Sequence, residues 1–239
     1  MSSAITRIAT PVAIVGLAAM ISACSTVVGS GDVITLDIPI EDVSRLDVSH
    51  AFDVTVTIGE TPSLLLTVDD NMESHLDVAT SGDLLRIGIE PRTLVTNATL
   101  VAELTVTSLD SINASGASKV HHLGLRGDDL DVELSGASHL DGAVDVQSMA
   151  AVLSGASGLN LSGEAASLDG EGSGASDLSL LDIHVGELQI ELSGASDAEE
   201  SVSGTLTAAL SGASSLRYRG DPNVSNAESS GASSITQIP

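Results

Sequence analysis

Carboxylates are the most numerous ionisable side chains in this sequence. It contains 33 Asp and Glu residues against eight Lys and Arg, a net charge of -25. Clustered acids can transfer protons in glycan cleavage, and their oxygens can bind Ca²⁺. We expect no cofactor, with Ca²⁺ as a secondary hypothesis, because the nine-residue repeat of calcium β-rolls is absent. The acids that successive repeats could bring together are Asp128, Asp129, Asp131, Asp141, Asp145, Asp169, Asp177, Asp182, Asp197, Glu199 and Glu200.

Histidines offer a second kind of site. His121, His122 and His139 fall in adjacent sequence repeats and could lie near one another. They stand at different offsets within the repeat, so they do not form a single column, as stacked metal ligands would. We therefore predict three solvent-facing histidines and no metal site.

An enzymatic function is not expected. The basic residues of the repeats lie near their two ends, and the sequence has one Phe, one Tyr and no Trp to hold a sugar ring. The same scarcity of rings, with the strong negative charge, argues against nucleic-acid binding. The four basic residues are Lys119, Arg126, Arg217 and Arg219.

Two short motifs have ordinary structural interpretations. "GEGSG", residues 170–174, resembles a phosphate-binding loop but lacks the following Lys and helix. Arg219-Gly220-Asp221 matches the tripeptide that some integrin ligands carry, yet Gly-Asp-Pro is also a common turn sequence. We interpret both as turns. The sequence does not decide whether Arg219-Gly220-Asp221 also has a binding function.

Cys24 is the one cysteine, and its position predicts lipidation. Arg7 and the apolar run "PVAIVGLAAMISA" precede it, as in a secretory signal with small residues before the cleavage point. "ISAC" resembles the lipobox of bacterial lipoproteins, in which the new N-terminal cysteine is acylated. The sequence predicts a signal peptide over 1–23 and a lipidated, flexible tether over 24–32; a plain signal peptide is the alternative.

The tetrapeptide Ser-Gly-Ala-Ser occurs seven times at intervals of 18 to 20 residues, starting at Ser115. Fixed offsets from each copy give columns of like apolar residues, the pattern of a solenoid. Glycine supplies the backbone conformation for a sharp corner, and we expect the alanine to point inward while the serines bond to backbone. The predicted corner glycines are Gly116, Gly136, Gly155, Gly174, Gly194, Gly212 and Gly231.

The predicted fold is all-β, a parallel β-helix with rungs of about 19 residues over 111–239. A second glycine in each rung suggests a flattened rung with two corners and two long sides. Alternating apolar and polar residues over 33–110 predict further strands, which close one end of the stack. No segment of useful length shows a helical period.

Two regions resemble the bacterial auto-transporter adhesin head family, or GIN domain. They are "LDVSHAFDVTVTIGE" at 46–60 and the string of SGAS corners, which together extend from about Val33 to Pro239. His50 stands where the family's turn usually has glycine, and histidine tolerates positive φ better than most residues. The resemblance implies a right-handed parallel β-helix and a role in adhesion without enzymatic activity.

The function expected from the sequence is therefore a non-catalytic surface scaffold. Its partners would be the membrane, through the lipid anchor, and a cell-envelope or host polysaccharide or protein. A glycan-processing enzyme, a purely structural envelope lipoprotein and an ice- or mineral-binding array remain alternatives. The oligomeric state is not predicted.

Overall fold

A computed structural model describes residues 25–239, so the predicted signal peptide and Cys24 lie outside the described residues. The fold is a parallel β-solenoid of about 7 turns, 68% strand and 3% helix, which confirms the predicted class and the rung of roughly 19 residues. A six-residue 3₁₀ helix, Asp70–His75, has no counterpart in the sequence prediction. The strands are β1 Ser25–Val28, β2 Val33–Ile38, β3 Arg45–Val48, β4 Asp53–Ile58, β5 Ser63–Asp69, β6 Leu76–Ser81, β7 Leu84–Ile89, β8 Thr93–Thr96, β9 Leu100–Val106, β10 Ser111–Ala114, β11 Lys119–Leu134, β12 His139–Leu153, β13 Gly158–Gly172, β14 Asp177–Leu192, β15 Asp197–Leu210, β16 Ser215–Arg219, β17 Asn223–Ser229 and β18 Ser234–Gln237.

Sixteen of these strands form one sheet that winds through the molecule, and every pair from β10 to β18 is parallel. The sheet continues without a break into the N-terminal region, because β3 pairs with β10 and β4 pairs with β11. Antiparallel pairs occur only beyond that point within the described chain, where β5 joins β2 and β9 and where β6 joins β7. The antiparallel strands cover the N-terminal end of the stack.

Each rung has three inward-facing stretches. In the rung that begins at Ser173, the buried positions are 176, 178 and 180, then 183 and 185, then 188, 190 and 192. Side chains alternate between the two faces of a strand, so each change in that alternation marks a bend. Two bends occur in addition to the SGAS corner, and the prediction of only two corners and two long sides was wrong.

The SGAS corner repeats with almost constant geometry. All seven glycines have φ between 74 and 81, the left-handed region that glycine adopts at little cost. The alanine N–H donates to the glycine carbonyl of the preceding rung, as from Ala156 to Gly136 at 2.7 Å. A Cβ on Gly155 would lie 2.5 Å from that same carbonyl oxygen, so the stacked corners leave no room for a side chain.

The second serine of the corner points inward, and the alanine points outward. Ser157 is 2% exposed, and its hydroxyl donates to the Ser154 carbonyl at 2.9 Å, whereas Ala156 is exposed. The expectation of an inward alanine was therefore wrong, although the expected bonding of serine to backbone is present. Equivalent buried serines are Ser118, Ser138, Ser176, Ser196 and Ser214.

The first corner of the stack replaces glycine by histidine and the inward serine by phenylalanine. His50 has φ 73, as its alignment with the glycines requires, and the Ile89 N–H donates to its Nδ1 at 3.3 Å. Burial lowers the pKa of His50, and Asp77 opposes that shift. Phe52 is fully buried beneath the serine column, so the one aromatic ring of the core closes its base.

Residues 25–32 are structured, contrary to the flexible tether expected there. Strand β1 pairs with β8, in parallel, as a two-stranded ribbon separate from the large sheet. The buried carboxylate of Asp69 accepts the N–H groups of Gly31 and Thr99, each at 2.6 Å. Asn71 donates to the Val28 carbonyl at 2.8 Å. These bonds fix the start of the described chain to the body of the domain.

One inward column carries two ionisable groups without partners. It stands seven residues after the first corner serine and includes His122 near one end and Glu200 near the other, with Leu161 and Leu180 between them. Neither nitrogen of His122 and neither oxygen of Glu200 has a hydrogen-bond partner. Gly142 makes room for the imidazole, because a Cβ there would lie 2.4 Å from the ring. The prediction that His122 faces solvent was wrong.

The corner geometry predicts the effect of single-atom changes. Gly155→Ala should lower the free energy of unfolding by about 2 kcal/mol or more, because it adds a Cβ to a left-handed residue against a backbone oxygen. Ser157→Ala should cost about 1 kcal/mol through the lost hydrogen bond. Ala156→Ser, at the exposed corner position between them, should have little effect. Urea unfolding of the three variants measures this, and equal losses at 155 and 156 would contradict the corner geometry.

The two buried ionisable residues, His122 and Glu200, predict opposing pH dependences of stability. Burial raises the pKa of Glu200 well above 4.5, so its contribution to stability falls as pH rises above 4.5, where the unfolded state ionises first. Burial lowers the pKa of His122 from 6.5 to about 4, despite Asp141, so its contribution falls as pH drops from 6.5 towards 4. That shift corresponds to about 3 kcal/mol.

Unfolding measured between pH 4 and pH 8 tests both effects. Relative to wild type, Glu200→Leu should stabilise increasingly above pH 4.5, whereas His122→Leu should stabilise most near pH 4. The exposed residues Glu187 and His184 provide controls, and Glu187→Gln and His184→Gln should not reproduce either trend. Parallel pH profiles for the two buried variants would refute the assignment.

Candidate binding surface

The strands that precede the first six SGAS corners present a continuous outward surface, here called the acidic face. Its register brings like positions of successive rungs into direct pairing, so side chains repeat at about 4.8 Å along the solenoid. Seven members are Asp or Glu, and none is Lys or Arg. The face consists of Ser111, Asn113, Asp129, Asp131, Glu133, Ser148, Ala150, Val152, Ser167, Asp169, Glu171, Glu187, Gln189, Glu191, Thr205, Thr207 and Ala209.

Few bonds link these side chains to one another. The Asn113 amide donates to Glu133 at 3.4 Å, and the Gln189 amide donates to Asp169 at 3.5 Å. Glu171 and Glu191 occupy directly paired positions on β13 and β14. Most of the carboxylate oxygens are therefore free to accept bonds from a ligand, and the neighbouring like charges favour a ligand that donates.

Ala150 and Val152 form a small apolar saddle in this acidic face. Asp131 and Glu133 pair with them from one side, and Asp169 and Glu171 pair from the other. Two strand spacings separate the flanking acids, about 9.6 Å. Val152 is 44% exposed. Three open grooves of about 450, 510 and 470 Å³ meet at the saddle, each lined by one or both of its residues.

The strand that follows each corner has a different character, and we call its outward surface the mixed face. His121 lies between Asp53 and Asp141, with N–O distances of 3.6 and 3.5 Å, and Arg217 contacts Glu199. A smaller groove of about 380 Å³ lies beside it. Two acids of this face therefore have a basic partner, Asp141 in His121 and Glu199 in Arg217. Its members are Lys119, His121, His139, Asp141, Gly158, Asn160, Asp177, Ser179, Asp197, Glu199, Ser215 and Arg217.

The fold separates the histidines that the sequence places in adjacent repeats. His121 and His139 lie on the mixed face at different offsets, while His122 points into the core. Across residues 25–239, no group of three or more His, Cys, Asp and Glu side chains is arranged to hold a metal ion.

The predicted acids are likewise divided. Asp129, Asp131 and Asp169 lie on the acidic face, and several others lie on the mixed face. Asp145 forms an ion pair with Arg126 at 3.9 Å. Glu200 is fully buried and is not available to a Ca²⁺ ion at the surface, which corrects its inclusion among the candidate ligands.

Both short motifs lie at bends of the solenoid. Gly174 of "GEGSG" is a corner glycine, and Gly170 is buried in β13. Gly220 of the Arg-Gly-Asp sequence has φ 105, and its carbonyl accepts a bond from the Gln237 amide at 2.7 Å. Both positions are explained by backbone geometry.

Within residues 25–239, no helix is long and apolar enough to cross a membrane.

Solved structures share this architecture. A putative adhesin from Bacteroides fragilis matches with a TM-score of 0.84 at 22% identity, covering 89% of this chain and 100% of that chain. A putative lipid binding protein from Parabacteroides distasonis matches at 0.75 and 14%, covering 90% and 100%. A putative adhesin from Parabacteroides merdae matches at 0.72 and 19%, again covering 90% and 100%. These similarities establish a common fold.

No curated protein matches the sequence. The family described as "putative auto-transporter adhesin, head GIN domain" matches residues 42–222, from just before β3 to the turn after β16. That range includes the His50 corner and six of the seven SGAS corners. The chain therefore belongs to the auto-transporter adhesin head, or GIN domain, family.

Proposed function

We propose that this protein is a lipid-anchored, extracytoplasmic scaffold that binds an extended polymer through its acidic face. The observation that carries the proposal is the ladder of carboxylates, amides and hydroxyls repeated at strand spacing along successive rungs. A repeating ligand can meet equivalent groups on several rungs at once, so weak contacts add through effective concentration. Membership of an adhesin family supports the same function.

The chemistry of the acidic face favours a polysaccharide that is neutral or carries amines. Carboxylate and amide oxygens accept hydrogen bonds from sugar hydroxyls, and carboxylates also pair with ammonium groups. The saddle at Ala150 and Val152 offers a small apolar contact between two pairs of acids. A polyanionic polymer would meet repulsion there unless divalent cations bridged the charges.

The arrangement of the acids does not favour catalysis. Glycosidases use two carboxyl groups that flank the scissile bond, with one acid shifted in pKa by its surroundings. Here the acids that are fully buried cannot reach a sugar: Glu200 lies in the core, and both Asp69 oxygens accept backbone N–H groups. The acids of the acidic face lie on open grooves. Turnover of a bound glycan would contradict a non-catalytic role.

The membrane anchor is tested at Cys24. Cells that express the full chain should incorporate a palmitate analogue into the protein and retain it in the membrane fraction. Cys24→Ser should abolish incorporation, because the chain has no other thiol. Unchanged labelling of Cys24→Ser, or an unlabelled wild-type protein, would refute lipidation.

The binding surface is tested by an array of glycans and envelope polymers probed with residues 25–239, first with Ca²⁺ and then with chelator. We expect binding to one polymer class. Asp169→Asn with Glu171→Gln should weaken that binding about tenfold or more, since two charge-assisted bonds are lost. Dependence on Ca²⁺ would indicate a cation bridge.

The matched control changes two acids on the mixed face. Asp177 and Asp197 pair directly on β14 and β15 and are exposed. Asp177→Asn with Asp197→Asn removes the same charge and should leave binding unchanged. Equal losses in the two double variants would show a general charge effect and would overturn the assignment to the acidic face. No binding across the array would favour a purely structural lipoprotein.

A further inference from the structure

The β1–β8 ribbon begins at the residue after Cys24 and stands apart from the solenoid sheet. The Ser25 N–H donates to the Arg92 carbonyl at 3.1 Å, and the Gly29 N–H closes the other end on the Thr96 carbonyl at 3.1 Å. Four residue pairs lie between these bonds, from Ser25 with Thr93 to Val28 with Thr96. The ribbon is therefore regular along its whole length.

The two faces of the ribbon differ in their surroundings. Val27 and Val95 are partly buried and pack against the hydrophobic core. The opposite face carries Val28 and Leu94, which are 54% and 57% exposed and are the most exposed large apolar residues of the domain after Leu123. Leu94 pairs with Thr26, and Val28 pairs with Thr96. Two apolar side chains thus project from an otherwise hydroxyl-bearing surface.

The orientation of this surface is fixed relative to the solenoid. Asn71 bonds to the Val28 carbonyl and accepts the Ser30 N–H at 3.1 Å, while the buried Asp69 holds Gly31. The segment that leads from Cys24 into the domain consequently has no slack. One residue spans at most about 3.6 Å, so any group attached to Cys24 is held beside the ribbon.

We propose that the exposed face of the β1–β8 ribbon is a membrane-docking surface that inserts Val28 and Leu94 into the lipid interface. The proposal rests on the lipid anchor proposed above. Acyl chains on Cys24 enter the bilayer one residue before β1, and the exposed apolar pair then leaves water at the same depth. The guanidinium of the exposed Arg92, next to Thr93, fits a lipid phosphate.

The bilayer is the occupant because the chain outside the described residues ends at Cys24, the proposed lipidation site, directly before β1. A protein partner could cover the same two side chains, but only the membrane is already delivered to this position by the anchor. The nearest acid in sequence, Glu90, lies 3.9 Å from His75 and so need not oppose the approach of Arg92. Docking in this way would leave the acidic face directed along the side of the solenoid and open to solvent.

The test uses the full lipidated chain carrying one introduced thiol for an environment-sensitive fluorophore. Acylation blocks Cys24, so the label reports a single position. Leu94→Cys and Val28→Cys place the label on the ribbon, and Val224→Cys places it on β17, where Val224 is 44% exposed near the other end of the stack. Each protein is reconstituted into phosphatidylethanolamine–phosphatidylglycerol vesicles, with and without lipids that carry a quencher in the acyl chain.

Labels at Leu94 and Val28 should show blue-shifted emission and strong quenching, and the label at Val224 should show neither. Palmitate incorporation with a water-exposed label at both ribbon positions would overturn the docking surface alone. A blue shift without quenching by lipid would also overturn it and would indicate a protein partner, such as a second copy. Absence of palmitate at Cys24 would overturn both this inference and the proposed anchor.

Discussion

The stacked left-handed corner is the constraint on which the rest of the solenoid depends. Each corner glycine carbonyl accepts the alanine N–H of the next rung, and the glycine Cα stands too close to its neighbour for a Cβ. This contact sets the register of the strands on both sides of the corner. A one-residue slip would turn the inward Leu, Val and Ile side chains towards water. The corner therefore determines which residues form the core and which form the faces.

The core that results is narrow, and its aliphatic composition follows from that shape. A column repeated at strand spacing accommodates Leu, Val, Ile or a hydrogen-bonded Ser on each rung, and the one phenyl ring of the core, Phe52, lies at the base of the serine column. His122 and Glu200 are exceptions within the same inward column, and each loses solvation without gaining a partner. The free-energy cost of burying them is borne by the stability of a long stack, in which each rung contacts mainly its neighbours.

Much of this architecture could be predicted from the SGAS spacing, because a repeated corner reveals period, strand content and glycine positions together. The sequence could not predict which corner residue points inward, since Ala and Ser are both small. That choice depends on how the left-handed turn shifts the alternation of inward and outward side chains. The burial of His122 and Glu200 could have been predicted from the sequence, because they stand at the same distance from the first corner serine as Leu161 and Leu180. Strand β1 and the 3₁₀ helix were missed, since each is too short to show a period.

The division between an acidic and a mixed face also comes from register. Outward residues at equal offsets are brought into columns, so a bias at one offset becomes a charged stripe along the molecule. That stripe is what gives the grooves near Val152 their chemical character, and it makes this face the proposed binding surface. If the proposed anchor at Cys24 and a ligand on the rungs are both engaged, the tension between them would enter the domain through β1, along its axis. Parallel strands pulled along their length share the load across all their hydrogen bonds at once. This short ribbon, which Asp69 and Asn71 bond to the rest of the domain, would therefore resist shear instead of losing its hydrogen bonds one at a time.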